Sequence, residues 1–148
     1  MINDDAIEVL NHLIEICKDG EKGYWLAAEN EKKAGLSEVF RRFSEERAQL
    51  LAELKQEVRK LGGDPEYSGA VLGSLRRRWM EAKSIVTGDD TEAIVRECER
   101  NEDVAKNVYQ EALKNELPVP VFEVVQRQYE QIKATYDQMR SLELQHHK

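Results

Sequence analysis

Four long stretches of the chain carry apolar residues three and four positions apart, and groups of glycine and proline separate these stretches. An alternation of three and four residues is the period of α-helices that pack along one another. The separating groups lie at Gly35, 62–65, 88–90 and 118–120, and residues of these types favour turns. No segment alternates apolar and polar residues with the period of a strand, so we predict an all-α protein.

Capping signals and apolar stripes together set the expected helix boundaries. Asn3 is suited to cap the first helix, and Asp89 followed by Glu92 resembles a capping box before the third long helix. Gly62 is suited to the left-handed residue that ends the second helix, and Pro65 prevents its continuation. The expected long helices are 4–33, 36–61, 90–117 and 121–145, and a shorter helix is expected over 70–86.

The apolar stripes also predict the core. Cys17 and Cys98 lie on stripes, and we expect small buried side chains there rather than redox thiols. Tyr24 and Tyr109 are expected to pack or to hydrogen-bond to polar groups in the core. The residues expected to face the core are Ile7, Leu10, Ile14, Cys17, Tyr24 and Ala28; Phe40, Phe43, Leu50, Leu54, Val58 and Leu61; Ile94, Cys98, Ala105, Tyr109 and Ala112; and Val121, Val125, Gln128, Ile132, Met139 and Leu142.

The lengths of the connections predict the topology. Short connections after the first and third long helices imply two antiparallel hairpins, because neighbouring helices joined by a few residues pack together. The long connection over 62–90 allows the third helix to run parallel to the second. We therefore predict a ferritin-like four-helix bundle with one crossover, in which the crossover contains the short helix. The 148 residues fit a single domain over 1–148.

Composition restricts the partners and the compartment. A net charge of −7 argues against nucleic acid as a partner, because affinity for phosphate depends on Lys and Arg. Arg76-Arg77-Arg78 beside Trp79 is the local exception, interpreted either as a solvated helix face or as a contact for a phosphate or an acidic partner. No stretch approaches the ~20 apolar residues that cross a bilayer. The first residues do not resemble a signal peptide, and two cysteines do not make a disulfide framework, so we expect a cytoplasmic protein.

A weak internal repeat places acidic residues at equivalent points of the first and third helices. Cys17 precedes Glu21 by four positions, and Cys98 precedes Glu102 by the same interval. Di-iron carboxylate bundles place one Glu on each of two helices and Glu-x-x-His on each of the other two. Here the corresponding pairs read Glu46-x-x-Gln49 and Gln128-x-x-Gln131. The candidate metal ligands are therefore Glu21, Glu46 and Glu102, with Gln49, Gln128 and Gln131 as weaker ligands.

Two interpretations of these residues stay open. Three carboxylates, three amides and no imidazole form a poor site for two iron ions, since amide oxygens are weak ligands for transition metals. The first interpretation is a structural polar layer whose Glu and Gln side chains hydrogen-bond to one another and fix the helix register. The alternative is a metal site that holds iron or manganese. We expect no other cofactor, and no catalytic residue can be assigned.

Several unusual features occur together in this chain: Cys17-x-x-Gly20-Glu21, the Leu61-Gly62-Gly63-Asp64-Pro65 turn, and Arg78-Trp79 in the crossover. With these features the whole chain resembles a bacterial family of unknown function that is grouped with the ferritin-like superfamily. The resemblance implies a four-helix bundle with a crossover helix and, by analogy, a metal site. It implies no activity. We expect a non-enzymatic protein, in a stress context, that self-associates or binds another protein, with the crossover as the first candidate surface.

Overall fold

A computed structural model describes residues 2–65 and 91–146, and this part of the chain contains four α-helices and no strand. The helices are α1 (Ile2–Asn30), α2 (Ala34–Lys60), α3 (Thr91–Ala112) and α4 (Val119–His146). The prediction of an all-α four-helix bundle is therefore confirmed. The expected helix over 70–86, the Asp89 cap and the Arg76–Trp79 segment lie outside the described residues.

Two helices are shorter than predicted because asparagine side chains compete for their last carbonyls. The Asn30 side chain donates to the carbonyl of Leu26 at 2.7 Å, and α1 ends at Asn30 rather than at residue 33. The Asn115 side chain donates to the carbonyls of Glu111 and Ala112, both at 3.2 Å, and α3 ends at Ala112 rather than at residue 117. Such local side-chain bonds offer the backbone an alternative to another helical turn.

The starts of two helices also differ from the prediction. Asn3 lies inside α1, which includes Ile2, and so it is not the cap. The fourth helix begins at Val119, two residues earlier than expected, because the Pro118 carbonyl accepts the first backbone bond, from Phe122 at 2.9 Å. Pro120 then falls in the first turn, where a missing N–H group removes no intrahelical bond.

The end of α2 has the predicted glycine cap. Gly62 has a φ of 85°, and its N–H group bonds to the carbonyl of Arg59 at 3.0 Å. The N–H group of Gly63 reaches the carbonyl of Val58 at 2.9 Å, which completes a Schellman motif. A side chain at position 63 would also approach Ile7 of α1 to 2.8 Å. The turn therefore packs closely on the first part of α1.

The contacts between helices establish the direction of each one. Ser44 and Ser37 of α2 bond to the carbonyls of Glu21 and Ala28 of α1, so these two helices are antiparallel. Bonds from α1 to α3 run from early residues to late ones: Cys17 meets Tyr109 at 3.2 Å. Thr91, at the start of α3, instead bonds to Glu31, just after the end of α1. Thus α3 is antiparallel to α1 and parallel to α2, the one-crossover direction that was predicted.

The core consists of two apolar clusters. One joins the first half of α1 to the second half of α2, and it includes Leu10, Leu54 and Ile132. The other lies toward the opposite end, where the Tyr24 ring lies 5.3 Å from that of Phe43. Nearly all the residues predicted to face the core are buried, Ile7, Leu61 and Leu142 being partly buried. None of the described helices has the length and apolar content needed to cross a membrane.

Candidate functional site

A buried ion pair lies between the two apolar clusters. Arg47 projects from α2 and Glu102 from α3, and both are nearly inaccessible to solvent, with relative exposures of 4% and 2%. One guanidinium nitrogen, Nη2, donates to both carboxylate oxygens of Glu102, each at 2.6 Å. A buried charge is strongly unfavourable unless it is paired, so each residue requires the other.

Tyr24 of α1 completes this group. Its hydroxyl donates to Oε1 of Glu102, and the guanidinium carbon of Arg47 lies 5.8 Å from the centre of its ring. Burial, and then the charge of Glu102, raise the pKa of Tyr24 well above its ordinary value, so the phenol keeps its proton. Burial by itself lowers the pKa of Arg47, but the charge of the adjacent Glu102 raises it by more. The net pKa lies above its ordinary value, and the guanidinium stays charged.

Gly20 of α1 leaves the space that the Arg47 side chain occupies. A Cβ atom at position 20 would lie 2.3 Å from Nη1 of Arg47 and 3.0 Å from its Cγ. Contacts below 3.0 Å do not occur for real Cβ atoms, so the guanidinium could not keep this position beside an alanine. The absence of a side chain at Gly20 is therefore what allows Arg47 to reach Glu102.

A second series of hydrogen bonds runs from α1 to the surface between α2 and α4. Tyr109 donates to Oε1 of Gln128 at 2.7 Å, and the Gln128 amide nitrogen donates to the Leu50 carbonyl at 3.2 Å and to Glu53 at 2.8 Å. Since Tyr109 uses its only proton on Gln128, the thiol of Cys17, 3.2 Å away, is the donor in their contact. The fully buried Gln128 thus has partners for its oxygen and for its nitrogen.

The outer end of this series of hydrogen bonds is an ion pair. Arg127 bonds to Glu53, which also accepts the bond from Gln128. Partial burial raises the pKa of Glu53, but the bonds from Arg127 and Gln128 outweigh it, and the net pKa is lowered. The carboxylate therefore stays ionised and available as an acceptor at neutral pH.

Both cysteines are buried and free, as predicted for small core side chains. Burial raises the pKa of the Cys17 thiol to about 11, against the counteracting charge of Arg47. Burial also raises the pKa of Cys98 well above its ordinary value, with a further contribution from Glu97. Neither thiol is ionised at neutral pH, and the thiolate is the reactive form of cysteine.

The six predicted ligands lie in different surroundings. Glu102 and Gln128 are buried, but each is bonded to the residues described above. Glu21, Glu46 and Gln131 are half-buried, and Gln49 is exposed on the outer side of α2. The expectation that Gln49 faces the interior is therefore not met, because the core-facing positions of α2 follow Arg47 instead of Glu46.

Arg47 is the functional residue that sequence reasoning missed, although a signal for it is present. The core positions of α2 are Phe40, Phe43, Leu50 and Leu54, and position 47 is the one that continues their alternation of three and four. Alignment with the di-iron pattern favoured the neighbouring Glu46, whereas the spacing places the arginine in the core. Tyr24 and Tyr109 were expected to pack or to hydrogen-bond to polar core groups, and both are buried and hydrogen-bonded.

The two sets of hydrogen-bonded residues together form a polar layer, which consists of Tyr24, Arg47 and Glu102 with Cys17, Tyr109 and Gln128. This polar layer does not fit a metal ion. Both oxygens of Glu102 already accept bonds from a guanidinium, which supplies the positive charge that a cation would supply. No group of three or more His, Cys, Asp or Glu residues within 2–65 and 91–146 is placed to hold a metal ion. Burial raises the pKa values of Tyr24, Tyr109 and Cys17, so these three groups keep their protons at neutral pH.

Comparison with known proteins supplies a family. No curated protein matched the chain. The model of a family described as a domain of unknown function, DUF2383, matches residues 5–115. This match includes most of α1, all of α2 and α3, and therefore every member of the Arg47–Glu102–Tyr24 group and Gly20. The chain thus belongs to the DUF2383 family of domains of unknown function.

Proposed function

We propose that this chain is a non-enzymatic interaction protein, built as a ferritin-like bundle in which an internal arginine replaces the metal. The observation that carries this proposal is the pair of hydrogen bonds that Nη2 of Arg47 donates to the two oxygens of Glu102. A polar layer in which a carboxylate is neutralised by a side chain needs no ion from solution. Its role is then to hold the helices together, and the outer surface is where the protein acts.

The one-crossover topology supports the ferritin-like part of the proposal, since it is the arrangement of ferritin-like bundles. The absence of an exposed nucleophile in the layer supports the non-enzymatic part, because both thiols and both buried phenols keep their protons at neutral pH. A partner protein or a second copy of the chain are the two kinds of ligand that a surface role allows.

Metal binding is the competing hypothesis, and elemental analysis separates the two. We expect protein purified without a chelator and without a His tag to hold less iron or manganese than one ion per chain. A ligand that binds only the folded state raises the melting temperature. Because we expect no metal to bind, the melting temperature should not change when Fe(II) or Mn(II) is added. Stoichiometric metal, or a rise in melting temperature that Glu102→Gln abolishes, would refute the proposal.

Sedimentation velocity then distinguishes the two kinds of partner. A species that grows with protein concentration over the micromolar range identifies self-association. A strict monomer over that range leaves a heterologous protein as the ligand. The metal measurement and the sedimentation measurement are independent, so the interior and the surface parts of the proposal are tested separately.

A further inference from the structure

A groove runs along the solvent-accessible side of α1 and α3. Its volume is about 880 Å³, and its floor includes the half-buried side chains of Val9, Val104 and Val108. The lining extends along α1 from Asp5 to His12, and along α3 through the last two turns, a length of about 10 to 12 Å at 1.5 Å per residue. This length accommodates about two turns of another helix.

Acidic side chains line the edges of this groove. Asp5 and Glu8 lie on the α1 edge, Glu111 and Glu116 lie on the other, and none of the described residues that line the groove is Lys or Arg. Glu111 pairs with Lys114 of its own helix at 2.9 Å, where both side chains are exposed. Within the described part of the chain, the other three carboxylates form no ion pair.

Two carboxylates elsewhere in the bundle, one on α2 and one on α3, are paired within their own helix. Glu57 pairs with Lys60 at 3.1 Å, and Glu97 pairs with Arg100 at 2.7 Å, each within one helical turn. A basic residue one turn away neutralises those acids locally, as Lys114 does for Glu111, whereas Asp5, Glu8 and Glu116 have no such pair within the described residues. An apolar floor between two edges that each keep at least one unpaired carboxylate is complementary to an apolar stripe flanked by rows of Lys or Arg.

We propose that this groove binds a cationic amphipathic helix of another protein, a proposal that rests on the proposed interaction function. The valines receive the apolar stripe of the partner, and the carboxylates at the edges attract its basic rows and align it. A second copy of this chain is the less suitable occupant, because it carries the same net charge of −7 and presents acidic helices to an acidic groove.

A designed peptide tests the proposal directly. The probe is a fluorescent helix of about 18 residues, five turns, with leucine at helical spacing on one face and lysine on the other. We expect fluorescence anisotropy to show saturable binding to the full chain that weakens as salt is added, since the edge charges are exposed. A peptide of the same pattern with glutamate in place of lysine should not bind.

Two variants locate the binding surface. The double variant Glu8→Lys/Glu116→Lys reverses charge at both edges, and Val108→Asp places a charge in the floor. Each should weaken peptide binding by about tenfold or more. The matched control is Glu123→Lys/Glu130→Lys, which makes the same change of charge at exposed positions of α4 and should retain most of the parent affinity. Circular dichroism checks that each variant is folded; the edge variant tests the groove if Val108→Asp does not fold.

Equal loss of binding in the edge variant and the α4 control would overturn the proposal, because it would show attraction by total charge alone. Failure of the lysine peptide to bind would overturn it as well. Self-association that the edge variant abolishes would identify a second copy as the occupant and would overturn the cationic partner. In each of these outcomes the metal measurement still decides the proposed function, so the two failures are distinguishable.

Discussion

Arg47 on α2 bonds to Glu102 on α3, although these two helices lie diagonally across the bundle. Each of them packs chiefly against α1 and α4, and the bond passes through the centre between them. Gly20 of α1 provides the room, and Tyr24 of α1 donates to the same carboxylate. Three helices thus meet at one charge pair, in which Glu102 accepts hydrogen bonds from both of the other helices.

Removal of one charge should be much worse than removal of both. Arg47→Met leaves a buried carboxylate without its cation, and Glu102→Gln leaves a buried guanidinium without its anion. We expect each single variant to lose about 3–5 kcal/mol of the free energy of unfolding. The double variant has no buried charge, and its loss should be clearly smaller than the sum of the two. Urea unfolding followed by circular dichroism measures all four proteins.

Glutamine is chosen at position 102 because it keeps an acceptor for the Tyr24 hydroxyl. If the single variants do not fold, recovery of a folded state in the double variant is the expected sign of coupling. Strict additivity of the two losses would contradict the ion pair, since independent sites add and coupled sites do not.

Gly20→Ala should destabilise the protein despite the better helix propensity of alanine. The new methyl group would meet Nη1 of Arg47 at 2.3 Å, and displacing the guanidinium should cost about 1–3 kcal/mol. Gly35→Ala is the matched control, because a Cβ there meets nothing within 4 Å. The control should be neutral or more stable by up to about 1 kcal/mol. Thermal unfolding compares the two.

The cause of the Gly20 effect can be isolated in a second background. In Arg47→Ala the side chain that obstructs the methyl group is absent, so adding Gly20→Ala should then have little effect or a stabilising one. An equal destabilisation in both backgrounds would show that the methyl group meets something other than Arg47.

Tyr109→Phe should destabilise the fold without emptying its ring position. The change removes the donor to Gln128 and the acceptor for the Cys17 thiol, and it leaves a buried amide oxygen without a partner. We expect a loss of about 1–3 kcal/mol. Tyr129→Phe is the control, because that ring is only partly buried at the edge of the core. Equal losses in the two variants, measured by urea unfolding, would argue against the Tyr109–Gln128 bond.

Stability should fall on the alkaline side. The pKa of Cys17 is about 11 in the folded chain and 9.0 ordinarily, so the unfolded chain loses this proton first as the pH rises. The stabilisation is complete below pH 9 and is lost as the pH rises toward 11. The contribution at stake is on the order of 2–3 kcal/mol. Tyr24, Tyr109 and Cys98 act in the same direction, because their pKa values are also raised.

Cys17→Ala separates the thiol from the other groups. The variant is expected to be somewhat less stable below pH 9, where it lacks the bond to Tyr109, and to lose less stability than the parent above it. Urea unfolding at both ends of that range provides the comparison. The same alkaline loss in the variant and the parent would assign the whole effect to the other groups.

Much of the fold follows from spacing alone. The alternation of three and four residues identified four helices and most of their buried positions, because burial repeats with the helical period. The parallel direction of α2 and α3 followed from the length of the connection between them. Helix ends were less accurate: Asn30 and Asn115 stop two helices through side-chain bonds to carbonyls, which apolar periodicity does not report.

The polar layer was only half predictable. Glu102 was identified because an acid interrupts an apolar stripe, and Gln128 for the same reason. Arg47 interrupts the stripe of α2 in the same way, but an alignment based on metal ligands gives an arginine no role. The space at Gly20 and the pairing of Arg47 with Glu102 depend on how α1, α2 and α3 pack. The spacing of residues within a single helix contains no information on this packing.

The position of the polar layer between two apolar clusters bears on partial unfolding. Separation of the helices at one end exposes only one apolar cluster. The separation can proceed as far as the Arg47–Glu102 pair. A further step would break this ion pair and leave each charge without its partner. We therefore expect the two ends of the bundle to form separate cooperative units in hydrogen exchange, with the slowest amides close to the pair. A bundle of this kind can loosen at the end where we propose that a partner binds and keep its opposite end closed.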